Sequence, residues 1–268
     1  MQVDWAAMNE EARDDYLAEY CLDKYEEGAS RQKLAVLLAA LHKVFPRQRF
    51  RTSAAVLLTW ALKAPPRQAP AVPSEFCEAI CVVCALLGAK DVGVLLRLCF
   101  WGLLRVSEAI SLQWKDIIMP QTVTGYVTLL LGRTKRGQDQ KVVVESVDMV
   151  VWLSKYAASA APSSAAFPCT YNRVLRTLRK ATAFLKLGAD FTTHSFRRGG
   201  ATARLIRNDT IENIMIAGRW KSLSSCREYL KRGEVYQLRF LAETTRSVTH
   251  KVELLSSLSH QCLDIEKS

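Results

Sequence analysis

The sequence predicts a mainly α-helical protein with a small antiparallel β-sheet, an α+β fold in two parts. Three observations carry that expectation. Apolar residues recur at helical spacing through most of the chain. Between residues 125 and 145 the pattern changes to two β-branched, apolar runs around a polar, glycine-containing turn, which is the signal of a hairpin. The stretch "APPRQAPAVPS" at 64–74 holds four of the eight prolines, so it cannot be a helix interior and reads as an extended linker. With 268 residues, 49% of them hydrophobic, the chain is long enough for one large domain or two smaller ones, each with a real core.

The elements follow in order. Residues 28–63 read as two helices, about 29–44 and 53–63, flanking the basic turn "KVFPRQRFR" at 43–51. After the linker, "SEFCEAICVVCALLG" reads as a buried helix ended by Gly88. "DVGVLLRLCFWGLLRVSEAISLQ" at 91–113 holds two consecutive helices that meet near Gly102. The hairpin comes next, then helices at about 147–159 and 171–186. Thr192 and Thr193 offer N-caps for a helix that begins at "HSFRRGGAT". "DTIENIMIAGRW" is a helix closed near Gly218, and "SLSSCREYLKR" is another. About 234–258 reads as one amphipathic helix with Leu238, Leu241, Val248, Val252 and Leu255 on its apolar face.

Lys and Arg outnumber Asp and Glu by 37 to 26, giving a net charge of +11, which favours a polyanionic partner, nucleic acid before an anionic membrane. The charge is segregated. Residues 1–27 carry nine acids and two bases, whereas residues 28–74 carry eight bases and no acid. Lys43, Arg47, Arg49 and Arg51 form the densest part of that second stretch and are candidate DNA contacts. No apolar run reaches the length of a spanning helix, and no leader is apparent at the start, so an intracellular protein without membrane association is expected. Cys77, Cys81 and Cys84 lack a fourth ligand at metal spacing and read as small apolar side chains on a helix face, so no metal is expected.

Four places could carry chemistry. With a threonine cap, His194 falls in the first turn of its helix and Arg197 one turn on, on the same face. A helix start favours anions, so the pair suits a phosphate; alone, such a pair is more often an ordinary exposed face. Arg105 lies in a strongly apolar stretch where an unpaired charge is costly, and Glu108 at i+3 could orient it, either for packing or for a ligand. Lys135 sits in the turn "GRTKRGQDQ", where Arg133, Arg136 and Lys141 compete with it for any role. Tyr229, in a short helix with basic neighbours, could become a nucleophile if a base took its proton and cations surrounded the electrophile; Tyr236 is a nearby alternative. Trp220 follows the glycine that closes the preceding helix.

Taken in order, Arg105, Lys135, His194-x-x-Arg197, Trp220 and Tyr229 resemble the catalytic signature of the tyrosine recombinases. "LLRVSEAISLQWKDI" is similar to that family's first box, "GRTKRG" to its hairpin lysine, "HSFRRGGAT" to its HxxR box and "AGRWKSLSSCREYL" to its last box. In the last box tryptophan stands where most members have histidine. The resemblance covers roughly residues 75–232. It implies a tyrosine-recombinase catalytic domain over 75–232, preceded by a short helical core-binding domain at 1–63 and the linker at 64–74. It further implies a C-terminal helix and tail at 233–268 that dock on a neighbouring protomer.

The resemblance also implies the chemistry. Tyr229 attacks a DNA phosphodiester to give a 3′-phosphotyrosyl link, and a 5′-hydroxyl reverses the step, with no cofactor, ATP or metal. Arg105, Arg197 and Trp220 bind the phosphate oxygens, Lys135 protonates the leaving oxygen, His194 assists at Tyr229, and Glu108 braces Arg105. Arg133, Arg136, Arg198, Arg219 and Lys221 contact the DNA backbone. Double-stranded DNA is the expected partner, with a dimer on one site and a tetramer in synapsis. The location is with the DNA, in a nucleus or a nucleoid. The readings kept beside it are a DNA-binding protein that has lost the reaction, and a type IB topoisomerase-like enzyme, against which the HxxR box argues.

Overall fold

The computed structural model describes residue 5 and residues 7–64, 69–122, 125–132, 140–157, 161–243 and 246–258. It is helical with one small antiparallel sheet, and it divides into two compact units, residues 1–68 and 69–268.

The first unit is three helices: α1 (Glu10–Glu26), α2 (Arg31–Val44) and α3 (Arg51–Lys63). α1 is absent from the sequence expectation, because its acidic surface hides a narrow apolar stripe, with Leu17, Ala18 and Cys21 buried. Leu17 and Cys21 meet Leu34, Phe50, Leu57 and Trp60 in a core of their own. The start of α3 is capped from α1: Asp14 accepts from the backbone N–H groups of Thr52 at 2.8 Å and Ser53 at 2.9 Å. Two of the first helical donors are thereby satisfied by a charged acceptor that also suits the helix dipole. Lys43, Arg47, Arg49 and Arg51 are all exposed around the α2–α3 connection.

The second unit begins before its first helix. Val72 is wholly buried, and its N–H donates to the Ser195 carbonyl at 3.1 Å, so the latter half of the proline-rich stretch packs into this unit's core. α4 (Ser74–Leu86) and α5 (Lys90–Trp101) have almost no polar face, as expected of helices covered on all sides. Cys77, Cys81 and Cys84 are buried thiols on α4. The five-residue α6 (Val106–Ile110) follows α5. The hairpin is β2 (Val127–Leu131) with β3 (Gln140–Val144), in register Leu129↔Val142. A two-residue strand, β1 (Ile117–Ile118), adds a third edge too short to leave a period in the sequence. α7 (Val147–Tyr156), α8 (Tyr171–Leu185), α9 (Thr193–Ile206), α10 (Ile211–Gly218) and α11 (Leu223–Arg227) complete the body. Among the described residues, no helix is long and apolar enough to cross a membrane.

The C-terminal segment differs from expectation. It forms two helices, α12 (Arg232–Glu243) and α13 (Arg246–Ser257). α13 packs on α4 and α8 of the same chain, and Val248, Val252 and Leu255 belong to the main core. Of the expected apolar face, Val248, Val252 and Leu255 are covered within the protomer, where they shield the apolar α4, and Leu241 is exposed.

Candidate active site

The site grows out of a sharp turn after α5. Leu103 adopts a left-handed backbone, φ 47°, and the chain reverses so that Arg105 becomes the extended N-cap of α6 rather than a residue inside a helix. Glu108 then sits in the first turn of α6 and accepts the Arg105 N–H at 2.8 Å. Its other oxygen takes Arg105 Nη1 at 2.6 Å.

α9 is brought against this turn by Gly200. A Cβ there would run into the Phe100 carbonyl, so only glycine allows the two backbones to approach so closely. Thr192 caps α9, and Ser195 Oγ accepts the Thr192 N–H at 3.0 Å. The register that follows leaves His194 exposed and sends Arg197 inward, fully buried. Arg197 Nη1 donates to the Leu103 carbonyl at 2.6 Å and Nη2 to the Gly218 carbonyl at 2.5 Å. Its Nη1 is also 3.7 Å from Glu108 Oε2.

The remaining wall comes from the ends of α10 and α11. Arg219 ends α10 in the left-handed region, φ 56°, and its Nη2 lies 2.6 Å from Glu108 Oε2. Trp220 folds back over Gly218, where any Cβ would strike the indole ring. Tyr229 lies not in a helix but in the turn after α11. Its ring is 4.8 Å from that of Trp220, and the Arg197 guanidinium stacks 4.8 Å from Trp220 and 5.5 Å from Tyr229. The buried Thr202 on α9 fixes the turn: its hydroxyl donates to the Tyr229 carbonyl at 3.2 Å and accepts the Lys231 N–H at 3.0 Å.

The electrostatics follow from crowding. Arg105, Arg197 and Arg219 converge on the carboxylate of Glu108. Burial pushes the Arg197 guanidinium down to about 10, with Arg219 and Arg105 adding repulsion against which Glu108 works. Burial acts to raise Glu108, but Arg219 first, with Arg105 after it, outweighs that and holds the carboxyl below its ordinary value. Three guanidiniums in a half-dry pocket, beside a tyrosine, suit an anion.

Residues 78–234, more than half of the chain, match the model of the phage integrase family. The chain belongs to the phage integrase family. No curated protein matched it in sequence. Among solved structures, it is similar to a lambda integrase(75-356) dimer bound to a COC' core site, with TM-score 0.61 and 16% identity over 87% of this chain and 83% of that one. A second lambda integrase dimer on a COC' core site gives TM-score 0.60 and 15% identity over 82% of this chain, which spans 64% of that chain's length. The Tn1549 transposon integrase in complex with circular intermediate DNA gives TM-score 0.56 and 12% identity over 81% and 80% of the two chains. At these identities the likeness is one of fold.

Within this integrase-family chain, the structure gathers Arg105, Glu108, Arg197, Trp220 and Tyr229 in one cluster and leaves His194 exposed on the first turn of α9. Lys135, Arg133 and Arg136 lie outside the described residues. The hairpin stem is described, and its closing residue Gln140 lines a cleft of about 440 Å³ with Glu212, Met215, Ile216, Arg219, Trp220 and Lys221. Lys221 is exposed. Arg198 is half-buried, donating from Nη1 to the Ala69 carbonyl at 2.6 Å and stacking 5.6 Å from Tyr229. Arg219 is drawn into the cluster and also lines the cleft. Tyr236 lies on α12, half-exposed beside Arg232. Thr202 escaped sequence reading because a threonine inside a helix carries no signal of a tertiary bond.

Proposed function

We propose that this chain is a DNA strand-transfer enzyme, a site-specific recombinase or integrase, in which Tyr229 attacks a DNA phosphodiester. The observation that carries this reading is the convergence of Arg105, Arg197, Trp220 and Tyr229, from four separated segments, into one cation-rich pocket. The phenolic oxygen forms a bond to phosphorus as the 5′ oxygen leaves, giving a 3′-phosphotyrosyl link, and a 5′-hydroxyl from another strand reverses the step. Arg105 and Arg197 supply planar, permanently charged donors for the non-bridging oxygens, and Trp220 adds a neutral N–H. His194 hydrogen-bonds the phosphate and assists proton transfer at Tyr229. Lys135 protonates the leaving oxygen as general acid; the anchoring of its hairpin beside the cleft that holds Arg219 and Trp220 supports that role. Glu108 acts through Arg105.

Double-stranded DNA is the partner on this reading, and the relatives solved on DNA support it. The exposed Lys43, Arg47, Arg49 and Arg51 of the first unit would contact the DNA backbone, as would Lys221 beside the site. Residues 1–63 would serve as a small DNA clamp, 64–74 as the linker, 75–232 as the catalytic domain and 233–268 as an assembly segment. Assembly as a dimer on one site and a tetramer in synapsis would use α12, where Phe240 and Leu241 are exposed, since α13 is engaged in its own core.

The test is incubation of the full chain with nicked suicide duplexes carrying a randomised site, followed by recovery of covalently bound DNA. An adduct is expected that Tyr229→Phe abolishes and Tyr236→Phe leaves intact. Loss with Tyr236→Phe, or an adduct that persists in Tyr229→Phe, overturns the assignment of the nucleophile. DNA binding with no adduct from any duplex would favour a DNA-binding protein that has lost the reaction.

A further inference from the structure

Arg219 is built into the pocket in a way that its place in the sequence does not require. It ends α10 in the left-handed region, φ 56° and ψ 39°, where glycine is the ordinary choice and a side chain carries a steric cost. An arginine at such a turn would usually extend its charge into water. Instead the side chain is 10% exposed, while Lys221, two residues on, is exposed. Arg219 Nη2 lies 2.6 Å from Glu108 Oε2, the oxygen that also accepts Arg105 N–H at 2.8 Å and faces Arg197 Nη1 at 3.7 Å. Three guanidiniums crowd around this carboxylate, and the repulsion is felt at Arg197, whose charge is destabilised by burial first and by Arg219 next. The indole of Trp220 contributes a donor without charge. Arg219 also lines the open cleft with Gln140 and Trp220, so a ligand can reach it.

On the strand-transfer reading of this site, we propose that Arg219 is a third guanidinium for the reacting phosphate. It is docked on Glu108 until the phosphodiester arrives. It then helps Arg105 and Arg197 neutralise the charge that builds on the non-bridging oxygens.

The first test uses the full chain and inorganic phosphate, so it needs no cognate DNA. Phosphate binding, followed by 31P line broadening, is expected to weaken by roughly tenfold or more in Arg219→Ala, as befits a lost charge-assisted contact. Lys180→Ala, which removes an exposed charge on α8, should stay within about twofold of wild type. Absence of phosphate binding in wild type, wild-type affinity in Arg219→Ala, or an equal loss in Lys180→Ala overturns the proposal. Should Arg219→Ala fail to fold, Arg219→Gln removes the charge while keeping most of the stem and is read the same way.

The second test uses a duplex recovered from the suicide selection, with either the natural phosphodiester or an uncharged methylphosphonate at the cleaved position. Arg219→Ala is expected to slow adduct formation by roughly 10²–10³ on the phosphodiester. On the methylphosphonate, which has less charge to neutralise, the deficit should shrink by about tenfold or more. An equal deficit on both duplexes means that Arg219 only supports structure. If wild type forms no adduct with any duplex, the strand-transfer reading fails, while the phosphate titration still decides whether Arg219 is an anion ligand.

Discussion

Replacing Glu108 with glutamine changes one charge and almost no volume, so it isolates what that carboxylate does for the fold. Glu108 is 8% exposed; its partners' side chains are 20% exposed at Arg105, 10% at Arg219 and 1% at Arg197. None is wet enough for solvent to screen the pairs heavily, so the applicable magnitude is that for removing one partner of a buried ion pair, about 3–5 kcal/mol. The glutamine amide would also point a donor at a donor on one side. In a unit that spans residues 69–268, each kcal/mol corresponds to about 2–4 °C, so a fall in Tm of roughly 6–20 °C is expected by circular dichroism. The pH dependence gives a second reading. Because the folded carboxyl is held below its ordinary value, its contribution is complete above the unfolded pKa of about 4.3 and is lost as pH falls through the folded value. Wild type should therefore lose stability below about pH 4 more steeply than Glu108→Gln. Added inorganic phosphate should recover part of the deficit by supplying the missing negative charge. A loss under about 1 kcal/mol, the range of an exposed pair such as Lys24–Glu27, would refute the claim that the cluster is held together by this carboxylate.

Three further perturbations probe how the site is held. Gly200→Ala places a Cβ against the Phe100 carbonyl, which is backbone and cannot yield, so a cost of about 2–3 kcal/mol in urea unfolding is expected; a wild-type midpoint would show that α9 can back away. Asp14→Ala removes the cap on α3 and should cost about 1–2 kcal/mol, seen as faster hydrogen exchange at Thr52 and Ser53. Burial works to raise the Asp14 carboxyl, but the bonds from Ser53 and Thr52 hold it below its ordinary value, so the cap acts at neutral pH and is lost as pH falls through that lowered value. Val252→Asp buries an unpaired charge in the main core and should cost several kcal/mol in dilute, DNA-free solution; unchanged melting would mean that α13 packs only between protomers.

The fold class and the residues that the fold gathers around Glu108 were legible, apart from Thr202, because each left a periodic or ordered trace in the chain. Hairpin, helix caps and spacing from His194 to Tyr229 all depend on near neighbours in sequence. What was missed depends on contacts that sequence order conceals. α1 has only a narrow apolar stripe under nine acids nearby, too weak a pattern to stand out. β1 is two residues long and exists because β2 offers it an edge. Val72 looks like linker by composition, yet its N–H closes onto Ser195. Tyr229 follows a helix of five residues instead of sitting in one, because the turn is held by Thr202, 27 positions earlier. α13 was amphipathic as expected, but an apolar stripe does not say which protomer covers it.

Arg97 and Arg197 show why burial alone does not mark a site. Both are almost fully buried arginines in the same unit. Arg97 lies 2.8 Å from Glu78 and 3.5 Å from Asp148 and stacks 4.4 Å from Trp152, so carboxylates outnumber the cation and its charge is closed by the protein. Arg197 rests on two carbonyls and shares one carboxylate with two more guanidiniums, so its charge is left open. A charge that the fold has already answered organises packing. One that the fold crowds with like charge raises the free energy of the unliganded state, and an anion that relieves it binds more tightly for that reason. The difference lies in the sign of the neighbours, and Arg219, seated against Glu108 beside Arg105 and Arg197, falls on the crowded side of that balance.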